Sequence, residues 1–139
     1  MKRTITILLI AFTLISASCK KKAKEAPVDP RIPPDMAFKS GAIYVSKDTT
    51  VSKQDTILVG VIVTKTEDNL SSFNASVSYD GSTTTTTFFN HYLTSAEYGG
   101  YTVDVTYYVR NQTGTEKLTY TIVDRDGNIT KKSIALTVL

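Results

Sequence analysis

The sequence predicts an all-β sandwich of seven strands over residues 38–139, preceded by an export leader and a proline-rich spacer. Three observations predict it. Apolar and polar residues alternate with period two from Phe38 onward, turn-forming residues recur every roughly 8–12 positions, and no segment sustains a helical period. β-Branched and aromatic side chains dominate the alternating runs, as a pleated, half-buried surface prefers.

In chain order, Ala42 to Lys47 reads as a first, edge-like strand. Thr56 to Thr66 is the clearest central strand, with Ile57, Val59, Val61 and Val63 on one face; Leu58 and Ile62 make part of its other face apolar as well. Phe73, Ala75, Val77 and Tyr79 alternate with Asn74, Ser76 and Ser78, and Asp80-Gly81 supplies a hairpin turn. Ser82 to Phe89 is expected to return along that strand. Thr94-Ser95-Ala96-Glu97 has capping-box spacing for a single helical turn. Tyr101, Val103, Val105, Tyr107 and Val109 form the next strand. Leu118, Tyr120 and Ile122 follow, then the turn Asp124-Arg125-Asp126-Gly127-Asn128, then a last strand with Ile134, Leu136 and Val138.

The stretch from Gly114 to Thr130, closing on Ile134-Ala135-Leu136-Thr137-Val138, resembles the last two strands of bacterial immunoglobulin-like repeats of the HYR and related types. That resemblance implies a seven-stranded immunoglobulin-like β-sandwich and says almost nothing about activity, because this architecture hosts many functions. Antibody-type domains carry paired cysteines and a core tryptophan, whereas this chain has one Cys and no Trp.

Residues 1–18 have the parts of a secretory leader: Lys2 and Arg3, an uncharged, largely apolar run from Ile5 to Ile15, then Ser16-Ala17-Ser18. The run is about eleven residues, short of the ~20 that span a bilayer as a helix. Ending at Cys19, it resembles the lipobox of bacterial lipoproteins, which implies cleavage before Cys19 and a diacylglycerol (with palmitate-like acyl chains) on its sulfur. At ~0.8 kcal/mol per buried methylene, several acyl chains would hold the chain durably to a membrane. Residues 19–37 read as a disordered tether, with Lys20, Lys21, Lys22 and Lys24 beside the lipid and all four prolines within it. This basic run differs from the acidic signal that directs some lipoproteins to the cell surface. The expected location is the outer membrane, lipid-anchored, on its periplasmic face.

Charge and motifs exclude most chemistries. Residues 38–139 carry nine Lys and Arg against ten Asp and Glu, so the domain lacks the basic footprint of a nucleic-acid binder. One thiol and one imidazole make no zinc site, and no cofactor is expected. An EF-hand starting at Asp124 would need Gly and Glu where Ile129 and Ala135 stand, so the segment reads as a turn. His91 has no nucleophile elbow or comparable signature near it, and no enzyme is expected. The Asn74, Asn111 and Asn128 sequons are silent behind a bacterial leader. Asp48-Thr49-Thr50 and Asp55-Thr56-Ile57 resemble short bacterial O-glycosylation acceptors. Thr83 to Thr87 reads as a soluble edge strand.

The remaining feature is an aromatic cluster. Phe88, Phe89, His91, Tyr92, Tyr98 and Tyr101 either plug one end of the core or present a surface, and the candidate surface residues are Phe89, His91, Tyr92 and Tyr98. The expected function is therefore a non-catalytic binding or scaffold module of the cell envelope that contacts an envelope protein or glycan. A structural spacer or assembly subunit is the alternative.

Overall fold

The structure is a computed structural model, described here over residues 31–139. The leader over 1–18, the Cys19 attachment point and most of the tether lie outside the described residues. The strands are β1 (Asp35–Phe38), β2 (Thr49–Val51), β3 (Thr56–Thr64), β4 (Leu70–Tyr79), β5 (Thr86–Tyr92), β6 (Gly100–Tyr108), β7 (Gly114–Asp124) and β8 (Ile129–Val138). They build a three-stranded sheet in the order β1-β3-β6 and a five-stranded sheet in the order β2-β8-β7-β4-β5. The described residues contain no helix, as alternation with period two requires.

Eight strands stand where seven were expected, and the difference lies at the start. Ala42 to Lys47 is not a strand: its one ladder-like bond runs from the Val45 N–H to the Leu58 carbonyl. Two short strands flank it instead. β1 pairs antiparallel with β3, whereas β2 pairs parallel with β8 in the other sheet, so the chain changes sheets between them. The folded domain also begins before residue 38. Met36 is 1% exposed within the core. The Thr66 hydroxyl donates to the Ile32 and Pro33 carbonyls, and the Thr130 hydroxyl to that of Pro34. Proline fits this edge because its missing N–H breaks no ladder there.

The core lies between the sheets and is made by the inward residues that alternation marks: Val59, Val61 and Val63 of β3, Phe73 and Ala75 of β4, Val105 of β6, Leu118, Tyr120 and Ile122 of β7, and Ile134 and Leu136 of β8. Burying each large one fully is worth about 1.5–3 kcal/mol. Phe73 and Tyr120 stack with ring centroids 6.3 Å apart, and Phe38 meets Tyr120 edge-on at 5.4 Å.

Two polar clusters tie parts of the sandwich together. At one corner Glu116 is fully buried, accepting from the Tyr107 hydroxyl at 2.7 Å and the Arg110 N–H at 3.2 Å. Arg110 Nε lies 3.2 Å from Glu116 Oε1, paired in charge but not aligned for a hydrogen bond. The same guanidinium donates to both Asp80 oxygens at 2.7 Å and lies over the Tyr79 ring. These bonds, led by the one from Arg110, hold the Asp80 carboxyl below its ordinary value. On the outside of the three-stranded sheet, Lys39 reaches across Gly60 to Asp104 at 2.6 Å, and the Tyr44 hydroxyl donates to the same carboxylate. A Cβ at position 60 would collide with the Lys39 stem, which is why glycine sits mid-strand there.

Candidate functional site

The β4–β5 hairpin departs from its simplest form twice, and both departures shape the surface. Asp80 and Gly81 have φ of 51° and 77°, and the Ser82 N–H donates to the Tyr79 carbonyl, the two-residue turn that twists with its strands. Such a turn sets Val77 opposite Thr84, yet Val77 pairs with Thr86. The expected strand over Ser82 to Phe89 is therefore shifted: Ser82 to Thr85 loop out, and the strand runs from Thr86 to Tyr92. A second irregularity follows, with Ala75 opposite Phe89 but Ser76 opposite Thr87. Phe88 is the extra residue, and this bulge turns Phe88 and Phe89 both towards the core.

The four residues expected to form a surface separate into different environments. Phe89 is half-buried with its ring 5.9 Å from Phe73, while Phe88 meets Tyr107 at 4.8 Å. His91 stacks on Tyr101 at 5.0 Å and 14°. These rings join β5 to β6, closing the seam between the free edges of the two sheets. Tyr98 is half-buried with the Arg125 guanidinium 4.1 Å above its ring. Tyr92 alone stands clear, 77% exposed.

The His91 environment is structural in its geometry. Its Nε2 lies 3.1 Å from both Glu97 oxygens. Glu97 also accepts from the Thr94 N–H and hydroxyl, each at 2.8 Å, and these bonds, the backbone one first, hold its carboxyl below the ordinary value. The Thr94–Glu97 segment is a hydrogen-bonded turn in which Glu97 serves as the reaching-back half of a capping box. No hydroxyl or thiol nucleophile bonds to the imidazole among the described residues. In the β7–β8 turn, both Asp124 oxygens accept from Asn128, through its N–H and its side-chain amide. Among the described residues no group of three His, Cys, Asp or Glu is placed to hold a metal.

Tyr92 stands on the outer face of the five-stranded sheet. Register carries a row across it from Tyr92 through Ser72 and Val123 to Ile129. The rows behind hold Asn90, Asn74, Thr121 and Lys131, then Thr87, Ser76, Thr119 and Ser133, then Ser78, Lys117 and Ala135. Four strands thus contribute Ser, Thr, Asn and Lys, and none of these positions carries a carboxylate. In the sequence the threonines read as one edge strand, because only register aligns Thr87 with Thr119 and Ser133.

With the first strand divided between β1 and β2, the sheets have the A-B-E and A′-G-F-C-C′ orders, and the fold is an immunoglobulin-like β-sandwich. Phe73 lies on the C strand, where antibody-type domains place tryptophan. No family model and no curated protein matches the chain. Among solved structures it is similar to murine CRIg, at 15% sequence identity and a TM-score of 0.40, over 76% of this chain and 98% of that one.

Proposed function

We propose that this chain is a lipid-anchored, non-catalytic binding module of the bacterial cell envelope. It is held by the Cys19 lipid at the periplasmic face of the outer membrane and contacts an envelope protein or glycan through the outer face of its five-stranded sheet. The observation that supports this reading is the position of Tyr92: a large ring exposed at one end of a face whose rows behind it are built mainly from Ser, Thr, Asn and Lys, while Phe89 and His91 are committed to the seam. An exposed tyrosine supplies contact area with little rotamer freedom to lose, as binding anchors do. A photo-crosslinking residue at position 92 is expected to capture a partner in intact envelopes, while one at Thr106, on the opposite sheet, is not. Equal capture, or none at 92, overturns the reading.

A second reading, an assembly subunit, is favoured by the free edge of β6. The Val109 N–H donates to the Asp55 carbonyl, so alternation points the backbone groups of Thr102, Asp104, Thr106 and Tyr108 away from β3. Such an edge is open to strand addition. Stoichiometric capture at Thr106 instead of Tyr92 would establish this alternative.

A further inference from the structure

The looped-out Ser82 to Thr85 segment stands over the outer sheet face as a wall. Between it and the sheet is an open hollow of about 440 Å³, within the range of ligand pockets. Ser78, Lys117 and Thr119 form its floor, and Ser82, Thr83 and Thr85 its wall. Its lining combines five hydroxyl-bearing residues with Lys117 and Gly81, and among the described residues no carboxylate-bearing residue lines it. Lys117 has no ion pair among the described residues, since Asp80 pairs with Arg110 and Glu116 points into the core. Ser82 accepts from the Thr84 N–H and Thr119 shares a proton with Ser133, while the Ser78, Thr83 and Thr85 hydroxyls bond to no protein group among the described residues. Ser78 is only 9% exposed, which places its hydroxyl at the base of the hollow rather than on an open surface.

We infer that this hollow binds a sugar acid, a polyhydroxylated ring bearing one carboxylate. A single cation matches a single negative charge. Phosphate-binding sites commonly gather several cations, whereas Lys117 is the one cationic residue among the described residues lining this hollow. Hydroxyls that both donate and accept match a ring of hydroxyls, and the threonine methyls offer apolar contact to its C–H groups. The site is independent of Tyr92. Ser72 and Ser78, their neighbours on β4, are six residues apart, or ~20 Å along the strand.

The test uses the full chain in detergent, titrated separately with galacturonate, galactose and inorganic phosphate, and read by amide chemical shifts. Galacturonate is expected to give saturable shifts confined to Ser78, Ser82–Thr85, Lys117 and Thr119. The neutral sugar should bind at least about tenfold more weakly, and Lys117→Gln should lose a similar factor, because a charge-assisted hydrogen bond is removed in each. Thr85→Ala should weaken binding with the fold intact, while Lys53→Gln, which removes an exposed lysine outside the hollow, should leave it unchanged. Absence of localised shifts, or full affinity in Lys117→Gln, overturns the proposal. Phosphate binding as tight as galacturonate overturns the sugar assignment, since the hollow would then read charge alone.

Discussion

At the scale of single residues, two buried polar side chains of the described residues, Tyr120 and Glu116, stand in contrast. The Tyr120 hydroxyl is buried without a hydrogen-bond partner among the described residues, so its burial costs free energy that its ring packing must offset. Tyr120→Phe is therefore expected to be neutral or to stabilise by up to about 1–2 kcal/mol in urea unfolding. Glu116 is the contrast: two hydrogen bonds and the Arg110 charge balance its desolvation. Glu116→Gln should destabilise by about 2–3 kcal/mol, because the guanidinium loses its buried counter-charge. Burial pushes both the Tyr107 and Tyr120 hydroxyls above the ordinary value of 10.0, with the Glu116 bond adding to the shift at Tyr107. A raised folded value favours the protonated phenol, so the stability it contributes is complete below pH 10 and declines as pH rises past it. Urea midpoints measured from about pH 8 to pH 11 should fall only at the alkaline end. Tyr120→Phe should lessen that fall, and an unaltered slope in the variant would show that Tyr120 does not contribute to it.

At the scale of elements, legibility tracks the number of alternations. β3 and β7 were readable because nine and eleven residues repeat the in-out pattern often enough to fix a face. β1 has four residues and β2 three, too few for a period, and β1 follows directly on a proline-rich stretch that reads as spacer. The alternation in Ala42 to Lys47 is present in the sequence, but a chain crossing between sheets leaves no partner strand for it. The aromatic cluster was legible as a group, not as an arrangement. Adjacent residues in a regular strand face opposite ways, so only the bulge brings Phe88 beside Phe89, and nothing in their identities announces it. The candidate hollow was hidden for the same reason, since it depends on two extra residues of hairpin register. Phe88→Ala should cost roughly 2 kcal/mol, less than a fully buried phenylalanine, and should open the seam to faster amide exchange at Tyr107. Gly60→Ala is expected to displace Lys39 from Asp104 and lower stability by about 1–2 kcal/mol in the same urea assay.

At the scale of the molecule, charge and shape are divided between regions. Lys20, Lys21, Lys22 and Lys24 follow the expected lipid attachment point in sequence, and residues 38–139 are close to neutral. A near-neutral domain has no strong attraction to the bilayer of its own, so the account places its membrane affinity in the acyl chains and the adjacent lysines. The outer face of the five-stranded sheet is then the largest regular surface left for a partner, with Tyr92 at one end and the Lys117 hollow at the other.

All of this depends on a folded β domain being carried on a lipid. Metabolic labelling with an alkynyl fatty acid, comparing the wild type with Cys19→Ser, tests that dependence most directly. Label is expected on the wild-type chain and in the membrane fraction, with Cys19→Ser unlabelled. A wild-type chain that matures without label, or a Cys19→Ser chain that keeps it, would contradict the account.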